Sequence, residues 1–226
     1  MRVDPKRRAG GGGAIAAGSI LLPAALLGSI AGPSASAPIR FHSEVVRIEV
    51  GAQADTVTVD GLYRFVVDPG VRAPRILFYP YPNDSLHGAA RTVSLAEVDR
   101  HGERRPLAYR EREGNRGVLW TLPPVDRDTL EIRTVYRQAL RGCTARYIVT
   151  TTRAWKRPLA WARFEVRLPE SVTDPEFNYP FRRGEDGVHR FEARRFLPER
   201  DVVVRWKRRA EGGRIVRGGE GADSGS

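Results

Sequence analysis

Apolar and polar residues alternate along most of the chain from about residue 43, a spacing that places every second side chain on one face of a β-strand. Val46, Ile48 and Val50 alternate with charged neighbours, and Val118, Trp120 and Leu122 repeat the pattern. The other predicted strands lie around residues 57–67, 76–79, 93–98, 128–139, 147–152, 162–168, 188–193 and 201–206. No window of eleven residues carries a helical apolar stripe, although residues 95–100 fit one helical turn.

About ten strands with turn residues between them predict an all-β fold. We expect an antiparallel two-sheet sandwich of the immunoglobulin-like kind. The pattern leaves a closed barrel as the alternative. Gly61 lies between the set Val57 and Val59 and the set Tyr63, Phe65 and Val67, where a bulge would keep the apolar side chains inward.

The chain divides by composition into three parts. Residues 1–37 carry basic residues, then an uncharged stretch, then small residues, which is the order of a secretory signal peptide. The uncharged stretch at residues 9–32 is also long enough to remain as a membrane anchor. Residues 38–206 form the predicted β-sandwich domain, and the Gly-rich residues 207–226 a disordered tail. Either N-terminal reading makes the protein exported, to the periplasm or outside the cell: it is secreted if the segment is cleaved and held at the membrane if the segment is retained.

The net charge of +11 brings anionic partners into consideration. Arginine supplies 35 of the 38 basic residues, a bias typical of a GC-rich coding sequence, and about half of the excess lies in the two ends of the chain. The charge therefore does not favour nucleic acid as a partner. An acidic glycan or an anionic lipid stays open.

The residue types that usually carry chemistry do not form a recognisable motif. Cys143 is the only cysteine, so neither a disulfide within the chain nor a cysteine-based zinc site is possible. The four histidines have no metal-ligand spacing, and phosphate-binding and nucleophile-elbow motifs are missing. We therefore predict no catalytic residue, no cofactor and no metal, and a protein that is not an enzyme.

One segment combines aromatic and basic residues and is the candidate binding surface. It contains Tyr147, Arg153, Trp155, Arg157 and Trp161. Aromatic rings beside arginine can stack on sugars or on the side chains of a partner. The structural alternative is that Trp155 plugs one end of the core and the stem of Arg157 covers it.

Several segments carry a family resemblance. The runs Val59-Asp60-Gly61-x-Tyr63, Tyr79-Pro80-x-Pro82 and Thr151-Thr152-x-x-Trp155-x-x-Pro158-Leu159 resemble exported bacterial β-sandwich proteins of unknown function. The resemblance covers about residues 44–206. It implies export and a sandwich fold, and it transfers no site residue or ligand.

These observations give three functional hypotheses. The first is a non-catalytic module of the cell envelope that binds another envelope protein or joins an assembly. The second is a binder of acidic glycan or anionic lipid through the Arg and Trp residues. The third is a hydrolase without a recognisable motif, for which a deep pocket with converging polar groups would be the sign.

Overall fold

A computed structural model of the chain describes residues 39–68, 75–114, 116–122 and 127–209. These residues form an all-β fold with a single short 3₁₀ helix, Thr150–Trp155. The strands are β1 (Ile39–Val50), β2 (Thr56–Val67), β3 (Arg75–Pro80), β4 (His87–Val98), β5 (Arg104–Pro106), β6 (Tyr109–Glu111), β7 (Gly117–Leu122), β8 (Thr129–Leu140), β9 (Thr144–Tyr147), β10 (Leu159–Arg167), β11 (Val172–Phe177), β12 (Arg182–Arg183), β13 (His189–Phe196) and β14 (Val202–Arg208). They exceed the ten or so predicted because β5, β6 and β12 have only two or three residues, too few to show alternation, and β11 has six residues that do not alternate.

The strands form one large sheet and two small ones. The large sheet has eight strands in the order β12-β13-β10-β1-β2-β8-β4-β5. The small sheets have the orders β11-β14-β9 and β3-β7-β6. Strands β1, β2, β4 and β8 each have twelve residues, so the centre of the large sheet is its longest part.

The predicted alternation is confirmed at the centre of the large sheet. Val46, Ile48 and Val50 of β1 are at most 4% exposed, while Arg47 and Glu49 between them are exposed. The same buried cluster includes Val118, Trp120 and Leu122 of β7 and Val202, Val204 and Trp206 of β14. Side chains from all three sheets therefore share one apolar interior.

One strand pair departs from the antiparallel prediction. β1 and β10 run parallel, with Val46 opposite Phe164 and Ile48 opposite Val166. Alternation reports which face a side chain occupies and carries no information on strand direction. The intervening chain supplies the long crossover that a parallel pair needs.

Two local predictions need correction. Residues 150–152 belong to the 3₁₀ helix and not to a strand, whereas the strand predicted at 93–98 lies within β4. Gly61 pairs in regular register with Val46, and the irregularity in the β1–β2 pairing lies between Phe41 and Ser43 instead. Asp201, about fifty positions along the chain, sets the 3₁₀ helix, and the Tyr63 ring requires glycine at position 61.

The outer face of the large sheet carries ion pairs between directly opposed residues. Arg47 Nε lies 3.1 Å from Glu165 Oε2 across β1–β10, and Arg64 Nη2 lies 2.6 Å from Glu131 Oε1 across β2–β8. Arg163 pairs in the same way with Glu192 across β10–β13. These arginines are therefore already paired within the sheet, and they do not form the free basic surface that the net charge suggests.

The ends of the chain are only partly described. β14 continues to Arg208, two residues beyond the predicted domain end at 206. The predicted signal or anchor, and the tail beyond Arg209, lie outside the described residues. Among the residues that are described, no helix has the length and hydropathy needed to cross a membrane.

Candidate functional site

A cleft opens between the large sheet and the β3-β7-β6 sheet. Its volume is about 80 Å³, room for about half a dozen water-sized atoms. Most of its lining is apolar, and Glu44 is the one charged residue among the described side chains there. The lining residues are Phe41, Glu44, Tyr63, Phe65, Leu77, Phe78, Tyr79, Pro80, Trp120, Thr134, Tyr147, Ile148, Thr151, Thr152 and Trp155.

Glu44 reaches the cleft because of its place in β1. It lies in phase with Val46, Ile48 and Val50 and therefore on the inner face of the sheet. The side chain is 2% exposed, and it lies opposite Tyr63 of β2. A carboxyl group thus occupies a position that the alternation assigns to the core.

Gly61 allows Tyr63 to lie against the sheet. The two residues are on the same face of β2, and a Cβ atom at position 61 would lie 1.9 Å from the Tyr63 hydroxyl oxygen. Only glycine leaves room for the ring in this position. The Gly61-x-Tyr63 spacing therefore directs the phenol along the strand toward its partners on β3 and β9.

Three tyrosine hydroxyls form a chain that ends on Glu44. Tyr147 Oη donates to Glu44 Oε2 at 3.1 Å. Tyr63 Oη lies 3.2 Å from Tyr147 Oη and 2.7 Å from Tyr79 Oη. A phenol has one proton to donate. Because Tyr147 donates its proton in the hydrogen bond to Glu44, Tyr63 donates to Tyr147 and Tyr79 donates to Tyr63. All three O–H dipoles then point toward the carboxyl group, an arrangement that stabilises its ionised form.

The second carboxyl oxygen of Glu44 is in a different position. Oε1 is buried and has no hydrogen-bond partner among the described residues. Burial raises the pKa of Glu44 from 4.5 to about 8, and the hydrogen bond from Tyr147 offsets part of that increase. Burial likewise raises the pKa of Tyr63, Tyr79 and Tyr147, so these hydroxyls keep their protons near neutral pH.

Three aromatic rings form one wall of the cleft. Phe41 and Phe65 are cross-strand neighbours with ring centroids 5.2 Å apart. Trp155 packs on both, at 6.0 Å from Phe41 and 5.8 Å from Phe65. The half-buried indole therefore joins the 3₁₀ helix to β1 and β2.

Asp201 holds the 3₁₀ helix in place. Its Oδ1 accepts hydrogen bonds from the backbone N–H groups of Val149 and Thr150 and from the Thr150 hydroxyl. These contacts satisfy donors at the start of the helix and end β9 at Tyr147. A residue about fifty positions away thus overrides the β propensity of the threonine run.

The structure brings two residues of the predicted binding surface, Tyr147 and Trp155, into the lining of the cleft and places the other three elsewhere. Tyr147 is buried and belongs to the hydroxyl chain, while Trp155 packs on the aromatic wall. Arg153 and Arg157 are exposed. Trp161 alternates with buried Ala162 in β10, so it lies on the outer face of the sheet, away from the cleft. The five residues do not form one continuous surface.

Glu44, Tyr63 and Tyr79 were not predicted as site residues. The available signal was a glutamate in phase with three buried β-branched residues, two positions before the first of them. Its partners come from β2, β3 and β9, and nothing in the local pattern predicts that they meet.

Comparisons with known proteins find similar solved structures at low sequence identity. No protein-family model and no curated protein matches the chain. A solved structure from Legionella pneumophila, provisionally called a nutrient binding protein, is similar at 14% identity and a TM-score of 0.49, over 74% of this chain and 66% of that one. Native yeast LTA4 hydrolase is similar at 9% identity and a TM-score of 0.45, over 75% of this chain and 29% of that one. The chain thus spans just under two thirds of the first and less than a third of the second, and neither likeness bears on its activity.

Proposed function

We propose that the chain is an exported, non-catalytic binding module whose cleft at Glu44 receives a side chain of another protein of the cell envelope, one with an apolar stem and a terminal hydrogen-bond donor. One observation carries the proposal: a buried carboxyl oxygen without a partner, Glu44 Oε1, belongs to the lining of an otherwise largely apolar cleft. Binding sites commonly combine an apolar wall with a few placed polar groups. A group that fills the cleft and donates to Oε1 would complete this one.

The composition of the lining supports binding over hydrolysis. It offers one carboxyl group and three phenols that already bond to one another, with threonine hydroxyls nearby. A hydrolytic site needs a metal, or a nucleophile in contact with its base, and the hydrogen bond that Glu44 makes within the described lining goes to Tyr147 and not to a threonine. The described lining contains one group with a pKa near neutrality, and its hydrogen bonds preorganise it for a ligand.

We also propose that the sheets stack as a sandwich. Buried side chains of both small sheets belong to the same cluster as the inner face of the large sheet, which supports this arrangement. The cleft would then lie at one end of the shared interior, where Trp155 packs on Phe41 and Phe65.

Export is the part of the proposal that rests on residues 1–37. Cell fractionation combined with a mass measurement of the recovered protein tests it. Recovery in the cytoplasm at full mass would remove the envelope from the proposal.

A blocking substitution tests the role of the cleft. Thr151 is exposed and lines the cleft, so Thr151→Trp would fill the opening without disturbing the core. Thr121 is exposed on β7 and does not line the cleft, so Thr121→Trp is the matched control. We expect envelope extracts to yield a partner with the wild type and with Thr121→Trp, and at least tenfold less of it with Thr151→Trp. Equal recovery with all three proteins would refute the assignment of the cleft.

The anionic-ligand hypothesis keeps one supporting observation. Arg153 and Arg157 are exposed, flank Trp155, and form no ion pair with any described residue. Binding to vesicles containing phosphatidylglycerol should then fall steeply with salt, because screening lengths drop to about 8 Å at physiological ionic strength. Binding that survives Arg153→Glu with Arg157→Glu would exclude this site.

A further inference from the structure

The chain carries 38 basic residues, and none is among the described residues that line the cleft. Glu44 faces Tyr63 of β2 and Tyr147 of β9, with Tyr79 of β3 one hydrogen bond further away. None of these groups supplies a positive charge. A buried carboxylate is costly unless a cation pairs with it. In the free protein Glu44 therefore stays mostly protonated near neutral pH, and a charge that pairs with its ionised form would have to come from outside the described fold.

The size of the cleft restricts the source of that charge. Small-molecule sites usually measure about 300–1,000 Å³, and this cleft measures about 80 Å³. It suits one side chain of a larger partner. Lysine combines an unbranched apolar stem with an ammonium group that has three N–H donors.

We infer that the cleft receives a lysine side chain of the partner protein, with its ammonium group donating to Glu44 Oε1 and its stem lying along the aromatic wall. This inference rests on the proposed function and specifies its ligand. The hydroxyl chain from Tyr79 through Tyr63 and Tyr147 holds Oε2, which leaves Oε1 for the ammonium group. Aromatic rings near a cation add to its binding.

Binding of a cation requires ionised Glu44, whose pKa is about 8 in the free protein. Below that pH the ammonium group displaces a proton from the carboxyl group. Affinity should therefore rise with pH, by about tenfold between pH 6 and pH 7, since the ionised fraction rises by that factor. The pair is buried, so added salt should change this affinity little.

The test uses n-butylammonium to represent the apolar stem and ammonium group of lysine, and n-butanol as its neutral counterpart. Titrations of isotope-labelled protein are followed at the indole N–H signals, since Trp120 and Trp155 line the cleft. A peptide with one lysine, compared with the same peptide containing norleucine, separates a side chain of a partner from a free amine. We expect the lysine peptide to bind at least as tightly as the free amine.

The substitution Glu44→Gln keeps the shape of the side chain and removes its charge. We expect it to weaken butylammonium binding at pH 8 at least tenfold, to abolish the pH dependence, and to leave butanol binding unchanged. Circular dichroism confirms that the variant is folded. Equal binding of butanol and butylammonium to the wild type, or butylammonium binding that Glu44→Gln leaves unchanged, would refute the inference.

The outcomes separate this inference from the proposed function. If butanol binds in the cleft and butylammonium does not, the cleft still receives an apolar stem with a neutral hydrogen-bond donor, and the lysine assignment fails. If the envelope partner is recovered equally with Thr151→Trp, the proposed function itself fails, whichever probe binds.

Discussion

The substitution Glu44→Gln should make the protein more stable at neutral pH. Glutamine has nearly the same volume and still accepts the hydrogen bond from Tyr147. It has no charge to bury. Because Glu44 is 2% exposed, its ionisation in the folded protein occurs almost wholly away from water.

The sign follows from proton binding in the two states. The pKa of Glu44 is about 8 in the folded protein and 4.5 is its ordinary value. Between these values the folded state holds more protons than the unfolded state, so the contribution of Glu44 to stability falls as pH rises. Between pH 4.5 and pH 7 this amounts to about 3 kcal/mol, at about 1.4 kcal/mol per pH unit. The Glu44→Gln variant has no ionisable group at this position, so its free energy of unfolding does not fall with pH for this reason.

Urea unfolding at several pH values measures the effect. The difference in free energy of unfolding between Glu44→Gln and the wild type should grow by about 3 kcal/mol from pH 4.5 to pH 7. Glu49 lies on the exposed face of the same strand, so Glu49→Gln is the matched control. Its effect should stay within about 0.5 kcal/mol. A difference that is constant with pH for Glu44→Gln would show that the carboxyl group is not buried as described.

Three further substitutions test the supports of the cleft. Gly61→Ala places a Cβ atom against the Tyr63 hydroxyl, and the overpacking should cost about 1–3 kcal/mol in urea unfolding; a cost below about 0.5 kcal/mol would contradict the close approach. Asp201→Ala leaves the hydrogen-bond donors of Thr150 without their acceptor. It should lower the free energy of unfolding by about 2 kcal/mol and speed hydrogen exchange at residues 149–152. Unchanged exchange there would contradict the capping role of Asp201. Trp155→Ala removes the half-buried indole from the aromatic wall and should cost about 2 kcal/mol, and a thermal midpoint equal to that of the wild type would contradict its packing.

The sequence predicted the large elements of the fold well, for a physical reason. In β1 and β8 one face meets the apolar interior and the other is mostly polar, so period-two alternation follows directly from burial. The parallel pairing of β1 with β10 left no such imprint, because strand direction depends on the path of the intervening chain.

The candidate site was much less predictable. The β propensity of the residues after Tyr147 favoured a strand, but Asp201 captures their backbone donors and produces a 3₁₀ helix. Glu44 resembled any polar residue at a strand end until its alternation phase was considered. Its significance comes from Tyr63 and Tyr79, which long-range packing brings to it.

The ion pairs on the outer face also control how the strands align. Sliding β10 along β1 by two residues keeps every apolar side chain inward, yet it places Arg163 or Arg167 opposite Arg47 in place of Glu165. The same slide of β13 along β10 sets Arg190 or Arg194 against Arg163. Like charges directly opposed across strands are destabilising. The alternating arginines and glutamates of the outer face therefore disfavour two-residue register shifts that burial alone would tolerate.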